Sequence, residues 1–173
     1  IQHNPCIIYS LTMLPTITDF SPIFYLRDFL VGIIGLTIIL IFHGACIIRL
    51  VHRFELLEIE LMKNGRYSKV LFNFYLTFIA VAMVHIIEIT LWALGIISLG
   101  LIESGTDALI FAGSCYTTVG FVEDLMPPDW KFLALFISFS GLFTLAWTTS
   151  SMVEVIASYK RSWQQLRALK RKK

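Results

Sequence analysis

The sequence predicts an all-α membrane protein with three transmembrane helices, and three observations carry that prediction. Of its 173 residues, 57 % are apolar and only 15 % charged, a balance that a chain of this size could not cover with a polar surface in water. Three apolar runs, 29–48, 70–102 and 132–153, are each long enough for a bilayer core of roughly 30 Å, which takes about 20 helical residues. Between the second and third lies Tyr116-Thr117-Thr118-Val119-Gly120-Phe121, an order of residue types suited to backbone that turns its carbonyls toward a cation.

The first 28 residues form an N-terminal interfacial segment or the remnant of a leader. Ile7-Ile8-Tyr9 and 11–14 make apolar patches too short to span, interrupted by Pro5, Pro15 and Pro22. The next unit, 29–69, combines the first span, whose sole titratable group apart from the Cys46 thiol is His43, with an amphipathic continuation. In that continuation Phe54, Leu56, Leu57, Ile59, Leu61 and Met62 alternate with charges, and Asn64-Gly65 closes it. The second apolar run would reach about 50 Å as one straight helix. It is therefore expected to tilt, to bend near Gly95 and Gly100, or to project beyond the lipid. A short helix over 108–116 follows, with Ser104 or Thr106 able to cap it and Asp107 suited to the positive end of its dipole. The third run carries no charge. The tail 158–173 is basic, with Trp163, Leu166 and Leu169 at helical spacing. It reads as an amphipathic helical extension beside anionic headgroups, or equally as a solvated stop-transfer tail.

Charge fixes the expected orientation. With the N-terminus outside, all but Arg27 and Lys131 of the 14 lysines and arginines fall on the inner side, as the distribution of basic residues across membranes requires. Glu103, Asp107, Glu123, Asp124 and Asp129 then surround the outer end of the Thr117–Phe121 stretch. There they either concentrate cations or are ordinary acidic outer loops.

The stretch 106–155 resembles the pore module of the potassium channel family, with pore helix, filter, outer turn and inner helix in that order. The family filter reads T-T-V-G-Y/F-G-D, and this chain matches through Phe121 before continuing Val122-Glu123-Asp124. A β-branched residue thus stands where the family has glycine, a position at which positive φ is costly for valine. Asp124 takes the part of the family aspartate if one residue is inserted; both alignments remain open. The resemblance implies a pore module over 70–157 with a re-entrant pore helix and filter loop between the second and third spans. It implies a selectivity filter of Thr117, Thr118, Val119, Gly120, Phe121 and Val122, and an outer mouth of Glu123 and Asp124. A homotetramer in the lipid bilayer of a bacterial inner membrane follows, with a monovalent cation, potassium first, as the transported ion and no cofactor.

Two further sets of residues bear on that reading. Gly141 stands where an inner helix commonly bends, and Thr144, Thr148, Ser151 and Glu154 recur below it at helical spacing. They can line water, or the hydroxyls can bond to backbone and neighbouring helices. His85 and Glu88 lie one turn apart on one helix face, and ionisable groups inside a span are expensive enough to mark function. With Trp92 they are similar to a His-x-x-Glu before an outer-helix tryptophan in small bacterial potassium-channel-like proteins. That implies a filter brace in which Glu88 reaches Ser114, Tyr116 or Thr117; a proton relay is the other reading. His43, alone on an apolar helix, reads as a satisfied buried histidine.

Cys6, Cys46 and Cys115 have neither a disulfide framework nor metal spacing. No nucleophile motif, phosphate-binding glycine loop or Arg-rich voltage-sensing helix is present, and nothing suggests nucleic-acid binding or an enzyme. Passive cation conduction is the function expected. A non-conducting subunit that keeps the pore-module fold within a larger membrane complex is the alternative.

Overall fold

A computed structural model describes residues 22–120 and 125–171. The segment 1–21, the positions Phe121, Val122, Glu123 and Asp124, and Lys172-Lys173 lie outside the described residues, and with them most of the expected interfacial segment, the outer mouth and the end of the filter stretch. Among the described residues all regular structure is helical: α1 (Pro22–Lys63), α2 (Tyr67–Ser98), α3 (Gly105–Tyr116), a 3-10 turn Pro128–Trp130, and α4 (Lys131–Arg171). The helices α1, α2 and α4 are long and apolar enough to cross a membrane.

The amphipathic continuation of the first span is one unbroken helix with it, 42 residues long. It begins at Pro22, seven residues before the expected boundary at 29. A proline is tolerated there because the first turn of a helix leaves its amides unbonded in any case. Asn64-Gly65 ends it: Gly65 adopts φ 68°, and the amides of Gly65 and Arg66 donate to the carbonyls of Met62 and Leu61 at 3.1 and 2.9 Å. The same device closes α2. Gly100 adopts φ 67°, while Gly100 N donates to Ile97 O and Leu101 N to Ile96 O. This paired bonding satisfies last-turn carbonyls and needs a left-handed residue that glycine supplies without a Cβ penalty. The second apolar run therefore stops at Ser98, and Gly95 lies inside an uninterrupted helix. The basic tail continues α4 as helix through Arg171.

α1 packs along both α2 and α4, and the short α3 is wedged between α2 and α4. One end of the bundle is fastened by Asp28, whose Oδ2 accepts from Phe132 N at 2.8 Å, and by Arg27, whose guanidinium lies 4.6 Å from the Trp130 ring. Around them Trp92, Ile96, Phe111, Tyr116, Leu133 and Ile137 form the larger buried core. At the other end a smaller core gathers Ile47, Phe54, Val81, Met152 and Val155. There Ser158 Oγ donates to Glu58 Oε2 at 2.6 Å and Asn73 Nδ2 to Phe54 O at 3.2 Å. The outward faces are lined with exposed Leu, Ile and Phe, as lipid-facing helices require.

Candidate functional site

Between the two apolar cores sits a polar cluster drawn from all four helices: His43 of α1, His85 and Glu88 of α2, Tyr116 at the end of α3, and Thr144 and Thr148 of α4. Glu88 lies ten residues before the end of α2, and Gly141 ten residues into α4. At 1.5 Å per residue each is about 15 Å from its helix end, half a hydrocarbon core. His43, Glu88 and Thr144 are fully buried and Tyr116 nearly so.

The contacts close into a ring. Glu88 Oε1 lies 2.7 Å from His43 Nδ1, and Glu88 Oε2 accepts a short hydrogen bond from the Tyr116 hydroxyl. That phenol oxygen also lies 2.8 Å from His85 Nδ1 and 2.6 Å from Thr144 Oγ1. Thr148 Oγ1 joins the two imidazoles, 3.1 Å from His85 Nε2 and 3.3 Å from His43 Nε2. A carboxylate at this depth is expensive unless paired and hydrogen-bonded, and here both of its oxygens are engaged.

His43, His85 and Glu88 bring one ligand atom each within 4.8 Å of one another, close enough to raise a metal. Those atoms already have hydrogen-bond partners within the cluster. The buried side-chain atoms without a partner among the described residues, Asp28 Oδ1 and Glu58 Oε1, belong to the two ends of the bundle. The donor set is complete as a hydrogen-bond network, and no metal is assigned to it.

The helix α3 is positioned for this cluster by its sequence. Ser104 caps it, with Oγ accepting from Asp107 N at 3.3 Å, so Ser104 rather than Thr106 is the cap. Its final residue delivers the Tyr116 hydroxyl to Glu88. The backbone then leaves the helix in a tight turn: Thr118 N donates to Cys115 O, and Val119 N and Gly120 N both donate to Ser114 O at 2.9 to 3.1 Å. Thr118 and Gly120 take positive φ of 59° and 64°, the costlier choice for threonine. Thr117 Oγ1 donates back to Gly113 O at 2.7 Å. While these amides fold inward, the carbonyls of Thr117, Thr118, Val119 and Gly120 accept no hydrogen bond among the described residues, and all four residues are exposed. Ser138 of α4 holds the turn from behind, donating to Cys115 O at 2.9 Å.

Several expectations are corrected. Gly141 lies within a continuous α4, and a Cβ there would stand 1.9 Å from Tyr116 O. The glycine is required by close packing of α3 on α4. Thr144 and Thr148 face the chain's own cluster rather than a water-lined stripe. Their hydroxyl spacing marks partners that are side chains of neighbouring helices. Ser151 is half-buried and Glu154 exposed. Trp92 stands apart from His85 and Glu88: its Nε1 donates to the buried Ser140 Oγ at 2.9 Å, tying α2 to α4. Of the three groups placed in reach of Glu88, Tyr116 is the one that bonds it. His43 is satisfied, as a lone buried histidine must be, but its partner across 45 residues escaped sequence reasoning. The signal available was charge balance, because the acid in one apolar span needs a proton donor in another. Cys46 and Cys115 are free thiols.

No protein-family model, curated protein or solved structure matches the chain.

Proposed function

We propose that the protein is the pore-forming subunit of a potassium-channel-like cation channel, with α3 as a re-entrant pore helix and Thr117–Gly120 as part of its filter. The observation that carries this reading is the exposed turn after Tyr116. Its amides are folded inward, its carbonyls accept no hydrogen bond among the described residues, and it is held about 15 Å below the start of α4 by Gly141. Irregular backbone at such depth is tolerated only where it is buried in protein or lines water, and rings of carbonyls can replace a cation's hydration shell. One chain supplies one such turn, so four copies around an axis complete the path. The buried cluster behind the turn acts as its brace through Tyr116. Thr149, Ser150 and Glu154 are exposed polar residues of α4 that would face the water below it. The N-terminus lies outside, following the basic residues.

The test is potassium flux in liposomes together with the copy number by single-particle imaging. Four copies around an axis lined by Thr118 to Phe121, with flux above that of empty vesicles, are expected. Flux equal to empty vesicles for both this chain and Val122→Gly would overturn conduction. Val122, in the place of the family glycine, is the specific observation that favours a non-conducting subunit, and a single copy among unrelated subunits would establish that reading instead.

A further inference from the structure

We propose that the His43–Glu88–Tyr116–His85–Thr148 ring is a proton-binding site. It holds one proton beyond those of an ionised Glu88 and two neutral imidazoles, and the two histidines share it through the Thr148 hydroxyl. The argument is a count of hydrogens. Six close contacts knit the cluster: His43 Nδ1 to Glu88 Oε1, Tyr116 to Glu88 Oε2, Tyr116 to His85 Nδ1, Tyr116 to Thr144, His85 Nε2 to Thr148, and Thr148 to His43 Nε2. Each needs one hydrogen. With Glu88 ionised and both imidazoles neutral, the hydrogens on hand are at most one each from Tyr116, Thr144, Thr148, His43 and His85, and Ser140 O at 2.9 Å and Gly141 O at 3.2 Å also accept from Thr144. At least one contact would then set lone pair against lone pair inside hydrogen-bond distance. A sixth proton, with the Thr144 hydroxyl turned to Tyr116, removes that conflict.

Charge gives the same answer independently. The titratable groups that face one another here are His43 and Cys46 from α1, His85 and Glu88 from α2, and Tyr116 from α3; α4 contributes the uncharged Thr144 and Thr148. Among the described residues no lysine or arginine makes an ion pair with Glu88. Without the extra proton the cluster would keep an isolated negative charge at mid-bundle, which low-dielectric surroundings penalise heavily.

The two places for the proton are related by a small movement. With the Tyr116 hydrogen committed to Glu88, the phenol oxygen accepts from His85 Nδ1–H and from Thr144. If Thr148 then donates to His85 Nε2, His43 must donate from both nitrogens and carries the charge. If Thr148 instead donates to His43 Nε2, His85 donates from both and carries it. Transfer of the His43 Nε2 proton to Thr148 Oγ1, as the hydroxyl's own hydrogen passes to His85 Nε2, thus exchanges the charge between α1 and α2, with no net charge entering or leaving. Loss of the proton frees one contact on the ring that holds Tyr116, and Tyr116 carries the Thr117–Gly120 turn. The site therefore reports proton occupancy to that turn, a consequence that deepens the channel reading while the proton count stands without it.

The experiment is nitrogen NMR of the full chain in nanodiscs, labelled with 15N-histidine and carrying His3→Gln and His52→Gln so that only His43 and His85 report. Three protonated ring nitrogens out of four are expected near neutral pH, with the Nε2 signals of both residues averaged by exchange. Thr148→Val should end the averaging and pin the charge on His43, and Glu88→Gln should reduce the count to two. Raising the pH until the third proton leaves should shift the Thr117–Gly120 amide signals in the same step. Two protonated nitrogens in the unsubstituted cluster, or four, would overturn the proposal, and so would a third proton that leaves without moving the turn. None of these readouts depends on ion flux, so failure of the channel reading is recognised separately.

Discussion

The α-carbon of Gly141 faces the carbonyl of Tyr116 so closely that a Cβ placed on it would stand 1.9 Å from that oxygen. Neither atom can give way easily, because one belongs to the backbone of α4 and the other to the last turn of α3. Gly141→Ala should therefore destabilise the folded protein by about 1–3 kcal/mol, read as a lowered thermal unfolding midpoint in detergent. Gly113→Ala on the opposite flank of α3 meets Ile89 at an ordinary 3.6 Å and should leave the midpoint unchanged or slightly raised. Equal losses in the two variants would contradict the close approach.

The pair His43–Glu88 predicts a pronounced asymmetry. His43→Ala leaves a buried carboxylate short of its donor and should cost about 3–5 kcal/mol, whereas Glu88→Gln keeps shape and removes the charge at smaller cost. The double variant should be less destabilised than the sum of the two, because the groups share one contact at 2.7 Å. Denaturant titration of all four proteins gives the coupling, and simple additivity would refute it.

Two glycines of the second span should respond in opposite directions. Gly95 is interior to α2 with open space around its α-carbon, so Gly95→Ala should stabilise by about 0.5–1 kcal/mol. Gly100 has φ 67°, and Gly100→Ala should cost about 1 kcal/mol or more. Unfolding midpoints that move the same way in both would show that α2 does not end where the left-handed residue places it.

Asp28 predicts a local effect. Its carboxylate accepts from Phe132 N at 2.8 Å, capping a helix from a residue over a hundred positions away. Asp28→Ala should cost about 0.5–2 kcal/mol and speed amide hydrogen exchange in the first turn of α4, while exchange around Val155 stays as it was. Uniform acceleration along α4 would point to global loosening instead.

Much of the fold was legible in the sequence because bilayer thickness and helix rise leave little freedom. The three spans, the helical continuation to Asn64-Gly65 and the short helix before Thr117 all follow from hydropathy and local caps. The site was legible only in fragments. Spacing put His85 and Glu88 on one face, but nothing local says that His43 comes from α1 to meet them, since that depends on how helices rotate against one another. For the same reason the hydroxyls of Thr144 and Thr148 suggested a wet stripe when their partners were imidazoles and a phenol. The close approach at Gly141 was not legible because a sequence cannot show which backbone lies against it.

The first helix is more than an addition to the two that flank α3. It supplies the imidazole that meets Glu88, the carboxylate that caps α4 and the guanidinium stacked on Trp130. A fragment trimmed to residues 70–157 would keep α3 and the Thr117–Gly120 turn and lose all three. The smallest piece able to hold its own shape is thus the three-span unit, and any attempt to graft or shorten it must bring α1 along.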